Sequence, residues 1–201
     1  DVVDVIREEA EHSLMGAAGL DEEDDMFAPV VKSATRRALW LGINLGTAFL
    51  AAAVVDLFQT TIDKIVLLAV LMPVVPSMGG VAGSQSLTII TRAIALGQIN
   101  SANAVGIMRK ELMVGFLNGC GWAVIVAVFT YLWFHDWRIG RIIGAAMIIN
   151  LFVAALAGYS IPLILKRLGV DPALAGGVVL TTVTDVVGYM AFLGLGAVFL
   201  M

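Results

Sequence analysis

Hydrophobic positions in this chain are gathered into long runs free of charge, separated by short charged clusters. Residues 38–55, 65–91, 112–134 and 142–165 carry no Asp, Glu, Lys or Arg, and residues 172–201 carry only Asp185. About 20 helical residues cross the ~30 Å of hydrocarbon in a bilayer, so each run is near or above the length of one crossing. Membrane-spanning strands would need only about 10 residues and would alternate in polarity, which these runs do not. The pattern therefore predicts an all-α membrane protein with five transmembrane helices. They are expected near 38–58, from about Lys64, from Glu111 to Phe134, from Arg138 to Leu165, and from Pro172 to the end. Pro172 suits the first position of a helix, where a missing N–H costs no bond. The second helix is expected to be broken, because Met72 to Gln85 contains Pro73, Pro76, Gly79, Gly80 and Gly83.

Before these runs the pattern changes. Val2, Val3, Ile6 and Leu14 give residues 1–19 an intermittent apolar side, and Asp4, Glu8, Glu9 and Glu11 give a charged one. This predicts an amphipathic helix closed by Gly19, then a self-repelling acidic link over residues 21–25. Two units are expected: 1–25, an acidic cytoplasmic helix and linker, and 26–201, a five-helix membrane domain. A polar, acidic start is the opposite of a signal peptide.

Composition sharpens this picture at two points. The chain is 60% hydrophobic with a mean hydropathy of +0.95, above the 45–50% apolar content of soluble domains. The net charge of −4 hides an asymmetry: ten of the 16 acids lie in residues 1–25, and the remainder of the chain is mildly basic. Lys32, Arg36, Arg37, Arg92, Arg109, Lys110, Lys166 and Arg167 fall on one side of the predicted helices, and Lys64, Arg138 and Arg141 on the other. The positive-inside rule then predicts a cytoplasmic N-terminus and an external C-terminus. Tyr131, Trp133 and Trp137 read as interfacial anchors. Basic residues at helix ends give no reason to expect nucleic acid. The lone Cys120 excludes an intrachain disulfide and reads as a packed thiol.

Asp185 carries the sharpest chemical signal. It lies 13 residues after Pro172 and 16 before the end, near mid-membrane, where a bare carboxylate costs at least ~2.5 kcal/mol. No Lys or Arg sits mid-helix to pair with it, so a mobile cation or a proton is the remaining partner. Thr181, Thr182, Gly188 and Tyr189 share its helical neighbourhood and suggest a polar stripe, although threonines also bond back to their own helix. Irregular backbone over 72–85 would free carbonyls at membrane depth, a common way to build an ion site. Asn44, Thr47, Asn118, Asn150 and Ser160 are expected mostly to bond between helices. Gly42/Gly46, Gly115/Gly119 and Gly140/Gly144 are small-residue pairs suited to close helix packing.

Three stretches taken together resemble the MgtE family of magnesium channels, itself related to a eukaryotic family of solute carriers. The first is Pro76 to Gln85 with Arg92 and Leu96-Gly97. The second is Asp171 to Ala175 with Thr181 to Gly188. The third is Lys32 to Arg37 with Trp40, Asn44 and Ala48 to Leu50. The resemblance runs nearly end to end. It implies a homodimer in the lipid bilayer of a bacterial inner membrane, with one pore on the two-fold axis lined by helices 2 and 5. It places the pore aspartate at Asp185, with Thr181, Thr182, Gly80 and Gly177 beside a mostly hydrated Mg2+. It also makes the 1–25 segment the plug-like helix that connects to soluble N-terminal and CBS domains, which this chain does not contain. Asp4, Glu8, Glu9 and Glu11 would then hold a regulatory cytoplasmic Mg2+. Val81 and Gly177 stand where family members often carry Asn, and both changes remove a polar pore-lining group.

A channel has two rivals. A proton- or sodium-coupled transporter of a divalent cation could use Asp185 alternately, but coupling usually needs more than one buried ionisable group, and the sequence shows only this one. An intramembrane aspartyl protease needs two carboxylates. His12 and His135 lie outside the predicted spans, and no Ser–His pair or zinc motif is visible, so the chain is not expected to be an enzyme.

Overall fold

The computed structural model describes residues 15–16, 29–100 and 102–201. Among them every regular element is a helix: α1 (Val30–Asp56), α2 (Gln59–Lys64), α3 (Val66–Leu71), α4 (Val74–Ala95), α5 (Ala104–Phe134), α6 (Trp137–Arg167) and α7 (Pro172–Leu200). Five spans are long and apolar enough to cross a membrane: α1, α3 with α4 as Val66–Ala95, α5, α6 and α7.

Local chemistry sets the ends. Asp136 accepts the Arg138 N–H at 2.8 Å to start α6, and Asp171 accepts the Ala173 N–H at 2.9 Å to start α7, with Pro172 in its first turn. Both satisfy an N–H that the helix itself leaves orphaned. At the other ends, Gly97 (φ 63°) and Gly169 (φ 73°) enter the left-handed region that L-residues avoid. Each closes its helix with a paired motif. Gln98 N–H reaches Ala93 O at 2.9 Å and Val170 N–H reaches Leu165 O at 2.9 Å, the arrangement that glycine permits after a helix.

The core centres on α6, which packs against α4, α5 and α7. Ile143, Met147 and Leu151 of α6 are buried with Val75 of α4 and Phe192 and Leu193 of α7. Two of the glycine pairs mesh α5 with α6. A methyl group on Gly140 would lie 2.8 Å from the Ala127 carbonyl oxygen, and one on Gly115 would lie 2.9 Å from that of Leu151. Van der Waals contact at this range is what associates helices in lipid, where apolar burial alone supplies no drive. The third pair behaves otherwise: among the described residues nothing lies within 4 Å of a Cβ at Gly42 or Gly46. Helix α1 packs chiefly on α7.

Three expectations need correction. α1 starts at Val30 rather than near 38, and α5 starts at Ala104 rather than at Glu111; the extra turns carry charge or little apolar bias, so hydropathy does not report them. The break in the second span is confined to Met72–Pro73, both in right-handed helical conformation, and residues 74–95 form one continuous helix. The second helix is broken as expected, but the irregular backbone does not extend from Pro73 to residue 85. Pro76 falls in the first turn of α4, where its missing N–H would have had no intrahelical partner.

Candidate cation site on α4 and α7

Helix α7 presents two stripes. Leu180, Thr184, Gly188, Phe192 and Gly196 are buried, spaced four residues apart on one face. A methyl group on Gly188 would lie 2.9 Å from Pro76 Cγ and 3.0 Å from Asn150 Nδ2, so α4, α6 and α7 meet there without room for a side chain. The second stripe is Gly177, Thr181 and Asp185, also at four-residue spacing and left uncovered or half-covered. Among the described residues a Cβ at Gly177 would meet nothing within 4 Å.

Asp185 is half-buried. Among the described residues no hydrogen bond or ion pair to its carboxylate is formed, and no group of three or more His, Cys, Asp or Glu lies together. A single copy of the chain thus offers one carboxylate rather than a cage. Thr181 Oγ1 donates to the carbonyls of Gly177 and Val178 at 3.1 Å each, and Thr182 Oγ1 donates to Val178 O at 2.7 Å. Their protons are committed to the helix, but their oxygens keep lone pairs that can accept from the waters of a hydrated cation.

Across from this stripe lies an open groove of about 580 Å3, lined by Gly80, Val81, Ser84, Gln85 and Thr88 of α4 and by Thr181 of α7. The structure thus brings Gly80 and Thr181 to one groove, while Gly177, Thr182 and Asp185 do not line it. A Cβ on Gly80 would come within 3.9 Å of Thr184 Oγ1. The Gly80 carbonyl is not freed as the sequence suggested: it lies in continuous helix and accepts the Ser84 hydroxyl at 2.8 Å.

Asn150 explains how α4 is held against this site. Its side chain is fully buried and Nδ2 donates to Val75 O at 2.7 Å, linking α6 to the first turn of α4, while Oδ1 has no partner among the described residues. A Cβ at Gly79 would collide with Nδ2, so only glycine admits the amide. Of the five polar residues expected mostly to bond between helices, Asn150 alone does so among the described residues. Asn44 and Thr47 bond within α1, to Trp40 O and Asn44 O, because a short side chain on a lipid-facing helix finds its own backbone first.

One group escaped the sequence reading. Glu111 is buried, 6% exposed, and accepts the Ser86 hydroxyl at 2.7 Å, joining α5 to α4. In the sequence it stands after Arg109-Lys110 as the expected first residue of a span. The start of α5 at Ala104 moves it into the third turn, against α4. Asp4, Glu8, Glu9 and Glu11 lie outside the described residues. Of that first segment Gly16 is placed: a Cβ there would lie 3.1 Å from the Ala173 Cβ, at the start of α7.

Residues 72–195, from the break before α4 through most of α7, match the family model MgtE, described as a divalent cation transporter. The chain belongs to the MgtE family. Its similarity extends over the whole chain to proteins named magnesium transporter MgtE: 30% identity over 200 residues in Enterococcus faecalis, 28% over 202 in Bacillus subtilis and 29% over 202 in Thermus thermophilus. Each covers 100% of this chain but only 44–45% of the relative, so the chain spans less than half their length. The stretch matched to the MgtE family takes in Gly80, Gly177, Thr181, Thr182 and Asp185 together.

Proposed function

We propose that this chain forms the membrane path of a Mg2+ channel, in which two copies on a two-fold axis bring two Asp185 carboxylates to one pore. The observation that carries the reading is Asp185 itself: a half-buried carboxylate within a 29-residue apolar helix, unpaired among the described residues. A charge at that depth persists where it meets water or an ion. Two such groups match one divalent cation, and a two-fold axis supplies the second without any further sequence. Mg2+ sheds its waters reluctantly and is usually held through one or two carboxylates. A hydrated ion would rest its waters on the Thr181 and Thr182 oxygens and on Ser84, Gln85 and Thr88 in the otherwise apolar groove along α4. The name borne by the three relatives, magnesium transporter, supports Mg2+ as the substrate.

In this reading the end of the bundle bearing Arg92, Arg109, Lys110, Lys166 and Arg167 is cytoplasmic. Gly16, which abuts the start of α7, lies at that same end. Asp4, Glu8, Glu9 and Glu11 would there bind the cytoplasmic ion that closes the path.

Glu111 favours a second reading, a proton-coupled transporter, because it supplies the second buried carboxylate that Asp185 alone lacked. Liposomes containing the purified chain separate the two. A channel takes up Mg2+ down its own gradient at a rate that a collapsed proton gradient leaves unchanged once the membrane potential is held constant. Uptake that stops with the proton gradient, and is restored when it is re-imposed, would replace the channel with the coupled carrier.

A further inference from the structure

Away from the α4–α7 groove, a second cavity of about 350 Å3 opens where α6 begins and α7 ends, lined by Arg138, Arg141, Ile142 and Ala145 of α6 and by Leu195 and Phe199 of α7. Its two sides differ in chemistry. Arg138 and Arg141 are three residues apart, hence on one face of the helix, and both are exposed. Among the described residues neither guanidinium forms an ion pair, and the Asp136 carboxylate beside them caps the Arg138 N–H. The remaining wall is apolar, with Phe199 68% exposed.

Depth places this cavity at the edge of the hydrocarbon. At 1.5 Å per residue a helix the length of α6 spans about 46 Å, well beyond a ~30 Å core, so its first turns reach the headgroup layer. Tyr131 and Trp137 stack beside it at 4.3 Å and 17°, and such aromatics mark the membrane–water boundary. A pair of unpaired guanidiniums at headgroup level, continuing into an apolar trough toward the bilayer centre, matches a molecule with an anionic phosphate at one end and a hydrocarbon chain at the other. Guanidinium binds phosphate through parallel charge-assisted hydrogen bonds.

We propose that this cavity binds an anionic phospholipid, its phosphate held by Arg138 and Arg141 and one acyl chain lying along Ile142, Ala145, Leu195 and Phe199. The bound lipid would tie the start of α6 to the far end of α7, the helix that carries Asp185, and so stabilise the bundle in anionic membranes.

The test is native mass spectrometry of the purified chain with added phosphatidylglycerol, phosphatidylcholine or inorganic phosphate, alongside thermal unfolding in the same mixtures. Phosphatidylglycerol is expected to be retained and to raise the unfolding midpoint by several degrees, with phosphatidylcholine and phosphate doing neither. Arg138→Gln/Arg141→Gln should weaken retention about tenfold or more, since each lost charge-assisted contact is of that order. Arg138→Lys/Arg141→Lys, which keeps the charge and loses the fork, should bind at an intermediate level and decides the matter should the Gln variant not fold. Ala145→Phe fills the apolar trough with both charges intact and should also lose the lipid. The proposal is overturned by equal retention of the two lipids, by inorganic phosphate reproducing the shift, by unchanged phosphatidylglycerol retention in the variants, or by variants that change the number of copies per complex instead.

Discussion

The two stripes of α7 lie side by side on one helix and have opposite fates. Leu180, Thr184 and Gly188 are closed against α4 and α6; Gly177, Thr181 and Asp185, built from equally small or polar residues, stay open. Thr184 and Thr181 make the point most directly. Both hydroxyls bond back to carbonyls of their own helix, yet one is fully buried and the other exposed. Residue type thus does not decide which stripe packs. The neighbours do: Gly79 and Gly83 on α4 and Asn150 on α6 leave a surface fitted to the closed stripe, and no described element covers the open one. In a membrane an open polar stripe is costly unless it faces water, ions or another copy, which is why function is sought on it and stability on its neighbour.

The comparison can be broken most forcibly on the closed side. Gly188→Leu has no space beside Pro76 and Asn150, so it should cost ~3 kcal/mol, at the upper end of overpacking penalties, read as a large drop in the unfolding midpoint of the purified chain. Asn150→Ala removes the tie to Val75 O and leaves a hole between three helices; a loss of ~2 kcal/mol is expected, with Mg2+ uptake falling alongside stability. The glycine pairs sharpen the contrast between meshed and uncovered helices. Gly144→Leu, whose added Cβ would sit 3.1 Å from the Ala123 carbonyl oxygen, should cost about 1–3 kcal/mol. Gly46→Leu, with no described residue near it, should change stability by less than ~0.5 kcal/mol. On the open stripe Thr181→Val keeps the shape and removes the oxygen. Stability should hold within ~0.5 kcal/mol, while Mg2+ uptake should fall about two- to tenfold, the loss of one net hydrogen bond to a hydrated ion.

How legible this was follows from what each feature needs. The five spans and the start of α7 at Pro172 could be read directly, because membrane length and helix capping act on local sequence. The break in the second span was read too widely: Pro76 looks like a second breaker until its place in the first turn of α4 is known. Glu111 and Asn150 show the opposite failure. Their partners, Ser86 and Val75, are 25 and 75 residues away, and no local pattern announces such a pairing. Gly42/Gly46 and Gly140/Gly144 share one motif, but among the described residues only the second has a helix against it. Asp185 was visible because an uncompensated charge in an apolar run stands out without any knowledge of the fold.

The central claim is that the Asp185 carboxylate holds the permeating ion. The direct test is Mg2+ uptake into liposomes by the wild-type chain, Asp185→Asn and Asp185→Ala, with each protein's unfolding midpoint measured in parallel. The account predicts that both variants fold at least as stably as the wild type, since a costly buried charge is gone, while their uptake drops to that of empty liposomes. Wild-type uptake by both variants at unchanged stability would contradict it and shift attention to the groove along α4.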